Sequence, residues 1–94
     1  MNSVKVAGKN SKHDVYLYTL STCAWCKATK QFLKDSNVEF EYVDLDLCTE
    51  EDRRKARKDI VKRGGELAYP AIIIDDKLLI NGFRKDDIKK ALEI

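Results

Sequence analysis

The sequence predicts an α/β domain whose elements follow the order β-α-β-α-β-β-α. Short apolar runs rich in Val, Ile and Tyr alternate with longer stretches in which apolar residues recur every three to four positions. Helix-capping residues or glycines separate these stretches. A C-x-x-C motif, Cys23-Ala24-Trp25-Cys26, falls where the first strand turns into the first helix. These three observations together predict the fold class.

The first half of the domain contains a strand, a helix and a second extended segment. Residues 15–20 are apolar in both phases, which is typical of a central strand covered on both faces. Residues 24–36 place their apolar side chains on one helical face, and Ser36-Asn37 supplies a left-handed end. Residues 38–47 alternate with period two but change phase near Tyr42. We therefore expect a bulge or a change in burial there.

The second helix begins at a capping pair formed by Thr49 and Asp52, and it ends before Gly64-Gly65. We interpret its basic outer face as a solvated surface, and a docking surface for an acidic partner is the alternative. The basic residues of this face are Arg53, Arg54, Lys55, Arg57, Lys58, Lys62 and Arg63.

A hairpin and a last helix complete the domain. Residues 71–74 and 77–80 are β-branched or apolar, and Asp75-Asp76 makes the tight turn between them. The last helix carries acidic residues in its first turn, where they complement the helix dipole. Its buried face consists of Ile88, Ala91 and Leu92.

Length and composition limit the possible functions. The 94 residues make one domain, 13–94, preceded by residues 1–12, which we expect to be a loosely ordered arm and not an edge strand. The net charge of +2 gives no general reason to expect binding to nucleic acid or to a membrane. Three cysteines, an odd number, fit a reducing compartment. The sequence also lacks an apolar run of the ~18 residues that a membrane helix needs. We expect a cytoplasmic monomer.

The C-x-x-C motif has the chemistry of a dithiol redox centre. Cys23 lies at the start of a helix, where free N–H groups and the helix dipole favour a thiolate. Lys27 adds a positive charge, and such settings lower a thiol pKa from ~8.5 into the range ~3.5–7.5. Cys26, three residues later on the same face, can attack a mixed disulfide formed at Cys23.

A structural zinc site is the alternative for these cysteines. Such a site needs four ligands, usually from two closely spaced pairs. The chain offers only Cys23, Cys26, Cys48 and His13, without a second C-x-x-C. We therefore predict redox chemistry and no bound metal. His13 starts a strand and Cys48 follows one, and we interpret both as structural residues.

Three motifs together resemble the glutaredoxin family over residues 15–92. They are the C-x-x-C after the first strand, Tyr69-Pro70 before the third strand and Gly82-Phe83 after the fourth. The resemblance implies a thioredoxin/glutaredoxin fold, with a four-stranded mixed sheet flanked by helices. It also implies a cis bond before Pro70, facing the cysteines.

The resemblance assigns roles to individual residues. Cys23 and Cys26 would form a redox-active disulfide that needs no bound cofactor. We expect an exposed Trp25 beside this disulfide and a Phe83 that packs beneath the site. The substrate-binding residues implied by the resemblance are Trp25, Tyr69, Pro70, Gly82 and Phe83.

Departures from the family pattern bear on the electron source. Glutathione-using members usually carry a lysine where this chain has Leu20, and an acid near the position of Arg84-Lys85. The segments around Cys26 and Phe83 are instead similar to NrdH-type redoxins, which donate electrons to ribonucleotide reductase, although the Ala24-Trp25 spacer differs from theirs. We expect a small oxidoreductase that reduces protein disulfides, regenerated by a thioredoxin-reductase-like or ferredoxin-linked reductase. The alternatives are a glutathione-dependent glutaredoxin and an iron–sulfur cluster carrier that uses Cys23 from two subunits.

Overall fold

A computed structural model describes residues 1–94 of the protein. It contains five strands, three α-helices and one turn of 3-10 helix at Leu45–Leu47. The strands are β1 (Val4–Val6), β2 (Val15–Thr19), β3 (Phe40–Asp44), β4 (Ala71–Ile74) and β5 (Leu78–Asn81). The helices are α1 (Ala24–Asp35), α2 (Glu50–Lys62) and α3 (Lys85–Leu92).

The strands form one mixed sheet in the order β1-β3-β2-β4-β5. β2 runs parallel to β3 and antiparallel to β4, so the strand that leads into the C-x-x-C motif is central. Successive β2 residues alternate between two cores: Leu17 packs with residues of α1 and α3, and Tyr18 packs with residues of α2. Helices therefore cover both faces of the sheet. The predicted α/β class, with a mixed sheet flanked by helices, is confirmed.

The sheet has five strands where the sequence predicted four, because β1 pairs antiparallel with β3. The chain then continues along the same segment, where the Asn10 N–H donates to the Asn37 carbonyl and the Glu39 N–H donates to the Asn10 carbonyl, both at 2.9 Å. Part of the arm that we expected to be loosely ordered is thus a sheet strand. A three-residue strand has no period of its own, and its partners lie far along the chain.

The second extended segment is shorter than predicted, because β3 ends at Asp44 and a 3-10 turn replaces its last residues. The carboxylate of Asp46 accepts the backbone N–H of Ser21 at 2.8 Å and also accepts the Ser21 hydroxyl. This turn buries Leu45 at 2% exposure and leaves Leu47 75% exposed. The change of phase at Tyr42-Val43 lies inside β3, whose pairing with β2 continues there without a bulge. It reflects a change in burial, the second of the two expectations, because Phe40 packs in one core and Val43 in the other.

The predicted ends of the helices agree with the structure. The Thr49 hydroxyl accepts the N–H of Asp52 at 3.1 Å at the start of α2. Asn37 follows α1 in the left-handed region with φ 58°, and Gly64 follows α2 with φ 82°. No helix combines the length and the apolar character that crossing a membrane requires.

Candidate active site

Cys23 is the N-cap residue of α1 and is partly exposed. Its backbone is extended, and its Sγ accepts the N–H of Cys26 at 3.2 Å. The Cys23 sulfur thereby fills the capping position that an oxygen of Ser, Thr or Asp usually occupies. The first turn of α1 contains no acidic residue, so the positive end of the helix dipole acts on this sulfur without opposition. Lys27 is exposed in the next position after Cys26.

Cys26 lies behind Cys23 and is completely buried. Burial and a hydrogen bond with the Cys23 side chain raise the pKa of Cys26 to about 12, while a contact with the Leu20 backbone acts in the opposite direction. Both cysteines are free thiols. The pair is therefore asymmetric: one sulfur is open to solvent, and the other remains a protonated thiol inside the protein at neutral pH.

The loop before β4 places backbone groups next to this pair. The Tyr69–Pro70 peptide bond is cis, as expected, and the Tyr69 carbonyl oxygen lies 4.0 Å from Cys23 Sγ. The N–H of Gly82 donates to the Pro70 carbonyl at 2.7 Å and so ties the two predicted loops together. Gly82 has φ 85°, a conformation that a side chain disfavours. The structure thus gathers the three motifs at one end of the sheet.

Aromatic side chains flank the cysteines on the side of α1 and α3. Trp25 is 66% exposed, and its ring centre lies 6.2 Å from that of Phe83. Phe83 in turn lies 5.8 Å from the ring of Phe32 and packs against the core. Trp25 is therefore exposed and Phe83 packs against it and the core, as expected. A substrate-binding role for either residue stays a prediction.

A groove of about 400 Å³ lies on the other side and contains two arginines that sequence reasoning did not assign to the site. It is lined by Leu20, Leu45, Asp46, Arg53, Arg57 and Tyr69. Arg53 and Arg57 border the apolar stripe of α2, which contains the buried Ala56 and Ile60. That position at the edge of the stripe was the available sequence signal, because side chains there turn toward the protein and away from solvent.

A nearly buried ion pair lies near Cys26 and was also missed. Lys30, one helical turn after Cys26, pairs with Asp44 at 2.9 Å. The Lys30 side chain is 14% exposed and that of Asp44 is 16% exposed. Thr19 donates its hydroxyl to the same carboxylate at 2.7 Å. The Lys30 charge favours the thiolate form of Cys26 and so opposes the effect of burial on its pKa.

Cys48 and His13 do not belong to this constellation. The Cys48 thiol donates to the Asp44 carbonyl at 3.5 Å and lines a separate cavity with Asn2 and Val4. The His13 ring contacts the side-chain carboxylates of Asp75 at 2.6 Å and Glu93 at 3.1 Å. The described chain holds no cluster of three or more His, Cys, Asp or Glu side chains with the geometry of a metal site.

The sequence is similar to those of known proteins. The family model described as Glutaredoxin matches residues 15–79. An uncharacterized glutaredoxin-like 8.6 kDa protein in the rubredoxin operon of Clostridium pasteurianum is 34% identical over 79 residues, which cover 84% of this chain and 97% of that protein. Glutaredoxin 1 of Rickettsia felis is 34% identical over 68% of this chain and 60% of its own length.

Solved structures show the same likeness in three dimensions. A glutaredoxin from Methanosarcina mazei Go1 superposes with a TM-score of 0.88 and 33% identity, covering 98% of this chain and 88% of that one. Methanoredoxin from Methanosarcina acetivorans superposes with a TM-score of 0.80 and 40% identity, covering 86% and 85%. The sequence match, the superpositions and the placement of the two cysteines agree, and the chain therefore belongs to the glutaredoxin family and has its thioredoxin fold.

Proposed function

We propose that this protein is a small dithiol oxidoreductase that reduces protein disulfides through Cys23 and Cys26. The asymmetry of the two thiols carries the proposal: Cys23 is accessible at the start of a helix, and Cys26 is completely buried behind it. A nucleophile must reach its target, whereas a resolving thiol must reach only the nucleophile. Family membership supports the same reaction class.

The reaction proceeds by two exchanges of sulfur bonds. The Cys23 thiolate attacks one sulfur of the target disulfide, and the other target sulfur leaves as a thiolate and takes up a proton. Cys26 then loses its proton and attacks Cys23 Sγ, which breaks the mixed disulfide and releases the second target thiol. The target gains two electrons and two protons, and the protein becomes the Cys23–Cys26 disulfide. A reductase returns the two electrons.

We propose a dedicated protein reductase, either thioredoxin-reductase-like or ferredoxin-linked, as the electron source. Leu20 offers no charge to a glutathione carboxylate, and the exposed Arg84 and Lys85 would repel the glutathione ammonium group. Exchanging an attractive contact for a repulsive one costs on the order of 1–2 kcal/mol, or roughly tenfold in affinity. Ribonucleotide reductase, or a similar target, would then receive the electrons.

Glutathione dependence is the second candidate, and one observation favours it. Arg53 and Arg57 line the same groove as Leu20 and Tyr69, so they provide cations next to the position where a family lysine is missing. Both arginines also lie within ion-pair distance of Glu50, at 2.8 and 3.4 Å, which partly neutralises them. Because Glu50 competes with glutathione for these arginines, a protein reductase remains our preferred electron source.

Three single substitutions test the reaction. Cys23→Ser should abolish reduction of a protein disulfide such as insulin, and Cys26→Ser should accumulate a mixed disulfide visible by intact mass. Cys48→Ser is the matched control, and it should keep the wild-type rate because Cys48 lies outside the site. Insulin reduction that persists in Cys23→Ser would overturn the proposal.

The electron source is tested with the wild-type protein alone. The oxidised form is offered either millimolar glutathione with glutathione reductase, or NADPH with a thioredoxin-reductase system, and NADPH consumption is followed. We expect faster turnover with the protein reductase. Rapid turnover only with glutathione would instead establish the second candidate.

A further inference from the structure

α2 carries a row of cations whose charge is not neutralised within the fold. Arg54, Lys58 and Lys62 recur every four residues, so they lie one above the other on one face of the helix. None of the three has a carboxylate within 4.0 Å, whereas the neighbouring Lys55 and Arg63 both do. We call this row the cationic strip.

The charge pattern of the strip works against the stability of the helix. Like charges four residues apart repel each other along a helix, while opposite charges at the same spacing attract. The adjacent row of α2 uses the attractive arrangement, in the Glu51–Lys55 and Asp59–Arg63 pairs. A purely structural role would favour the same solution for the strip, whereas its charges stay unpaired and accessible to an external anionic partner.

Two aliphatic side chains accompany the strip. Val61 is 58% exposed and Leu67 is 51% exposed, and both line a shallow cavity together with the strip residues and Arg57. Exposed aliphatic groups beside cations fit a polypeptide that has both acidic and apolar side chains. They do not fit nucleic acid, because the cavity contains no aromatic side chain on which bases could stack.

The strip is continuous with the active site. Arg57 lines the cavity of the strip and also the groove that contains Tyr69. The Tyr69 carbonyl lies 4.0 Å from Cys23 Sγ. A polypeptide whose disulfide reaches Cys23 can therefore pass Tyr69 and Arg57 and place its flanking residues on the strip, which spans about 12 Å of helix between Arg54 and Lys62.

We propose that the cationic strip, with Val61 and Leu67, is a docking surface for an acidic segment that flanks the reducible disulfide of the protein substrate. This inference rests on the proposed disulfide reduction and specifies its substrate class. Docking acts before any sulfur bond changes, so its effect falls on encounter and binding. The strip should raise kcat/KM for an acidic substrate on the order of tenfold at low salt, and screening should reduce that advantage.

The kinetic test uses two disulfide peptides of equal length, one flanked by Glu, Asp and Leu and the other by Ser and Gly. Lys58→Gln combined with Lys62→Gln should remove the preference for the acidic peptide and leave the reduction of hydroxyethyl disulfide unchanged. Lys89→Gln combined with Lys90→Gln is the matched control, since it removes the same charge from exposed positions of α3. Equal kcat/KM for both peptides in the wild type, or equal losses in both double variants, would overturn the docking surface.

A binding test separates docking from catalysis. The acidic peptide is made with Ser in place of Cys and labelled, and its anisotropy is followed as the protein is added. Binding that is lost in the Lys58/Lys62 variant supports the docking surface, whether or not the protein reduces disulfides. Absence of disulfide reduction in the wild type would overturn only the proposed function. Absence of binding, or displacement of the peptide by a single-stranded oligonucleotide at lower concentration than by unlabelled peptide, would refute the inference.

Discussion

The two sulfur atoms differ in solvent exposure because they lie on different sides of the first turn of α1. Cys23 uses its sulfur as a cap and stays accessible, while Cys26, one turn further, points into the protein and is completely buried. Burial and the hydrogen bond with the Cys23 side chain raise the pKa of Cys26. The order of attack in the reaction follows from this asymmetry.

Alkylation kinetics should reveal that asymmetry directly. At pH 7, iodoacetamide should modify Cys23 first and leave Cys26 unmodified, because the reactive form is the thiolate and burial raises the pKa of Cys26 to about 12. Peptide mass mapping after timed quenching measures the order. Protein unfolded in guanidinium is the control and should be alkylated at Cys23, Cys26 and Cys48 alike. Earlier modification of Cys26 than of Cys23 would reverse the assigned roles.

Individual helices, strands and turns were predictable where neighbouring residues in the sequence determine them. The start of α1, the cap at Thr49 and the turn at Asp75-Asp76 all depend on neighbouring residues, and the structure contains each of them. β1 depends on a partner strand far along the chain, so Val4 and Val6 alone did not decide between an edge strand and a loosely ordered arm. Likewise, periodicity placed Arg57 on a solvated face, but whether its side chain reaches the groove depends on how α2 packs against the sheet.

The chain after β1 makes close contacts that the sequence also did not indicate. A Cβ atom added to Gly8 would lie 2.6 Å from the backbone N of Glu39 and 2.6 Å from the backbone C of Val38. Gly8→Ala should therefore push this segment away from the sheet and lower the free energy of unfolding by about 1–3 kcal/mol. Urea denaturation followed by circular dichroism measures this loss.

Lys9→Ala is the control for this prediction, because Lys9 is exposed and contributes only its backbone N–H, which bonds to Asn37. It should keep the stability of the wild type. The rate of disulfide reduction should survive in both variants, since Gly8 does not contact the active site. A Gly8→Ala variant as stable as Lys9→Ala would show that the segment is held loosely.

At the end of the molecule opposite the active site, His13 connects the hairpin turn at Asp75 with Glu93 after the last helix. Hydrogen bonds to Asp75 and then to Glu93 raise the pKa of His13. The hydrogen bond to His13 lowers the pKa of Asp75, and Lys12 first and His13 second lower the pKa of Glu93. The His13 contribution to stability is complete below pH ~6.5 and is lost as the pH rises through the folded-state pKa. The carboxyl contributions are lost as the pH falls through their lowered values. The cluster should therefore stabilise the protein most between about pH 4.5 and 6.5.

Replacement of the ring tests this pH dependence. His13→Gln should lower Tm more at pH 5.5 than at pH 8.5, because the charge of the wild-type ring decreases as the pH rises through its raised pKa. Lys12→Gln is the matched control, because Lys12 pairs with the same Glu93 carboxylate through an amine and not through an imidazole ring. Its effect on Tm should be similar at the two pH values. An equal loss of Tm in His13→Gln at the two pH values would mean that the ring stabilises the protein without its charge.

The pairing of β1 with β3 has a consequence for handling the protein. A shortened chain that begins after β1 would leave the backbone N–H and C=O groups along one side of Phe40–Tyr42 without partners. Exposed strand edges invite strands from other molecules, and aromatic or β-branched residues such as Phe40, Tyr42 and Val43 strengthen that pairing. Trimming the first residues to obtain a minimal redoxin would preserve the cysteines and promote precipitation on concentration. The first strand therefore protects colloidal solubility.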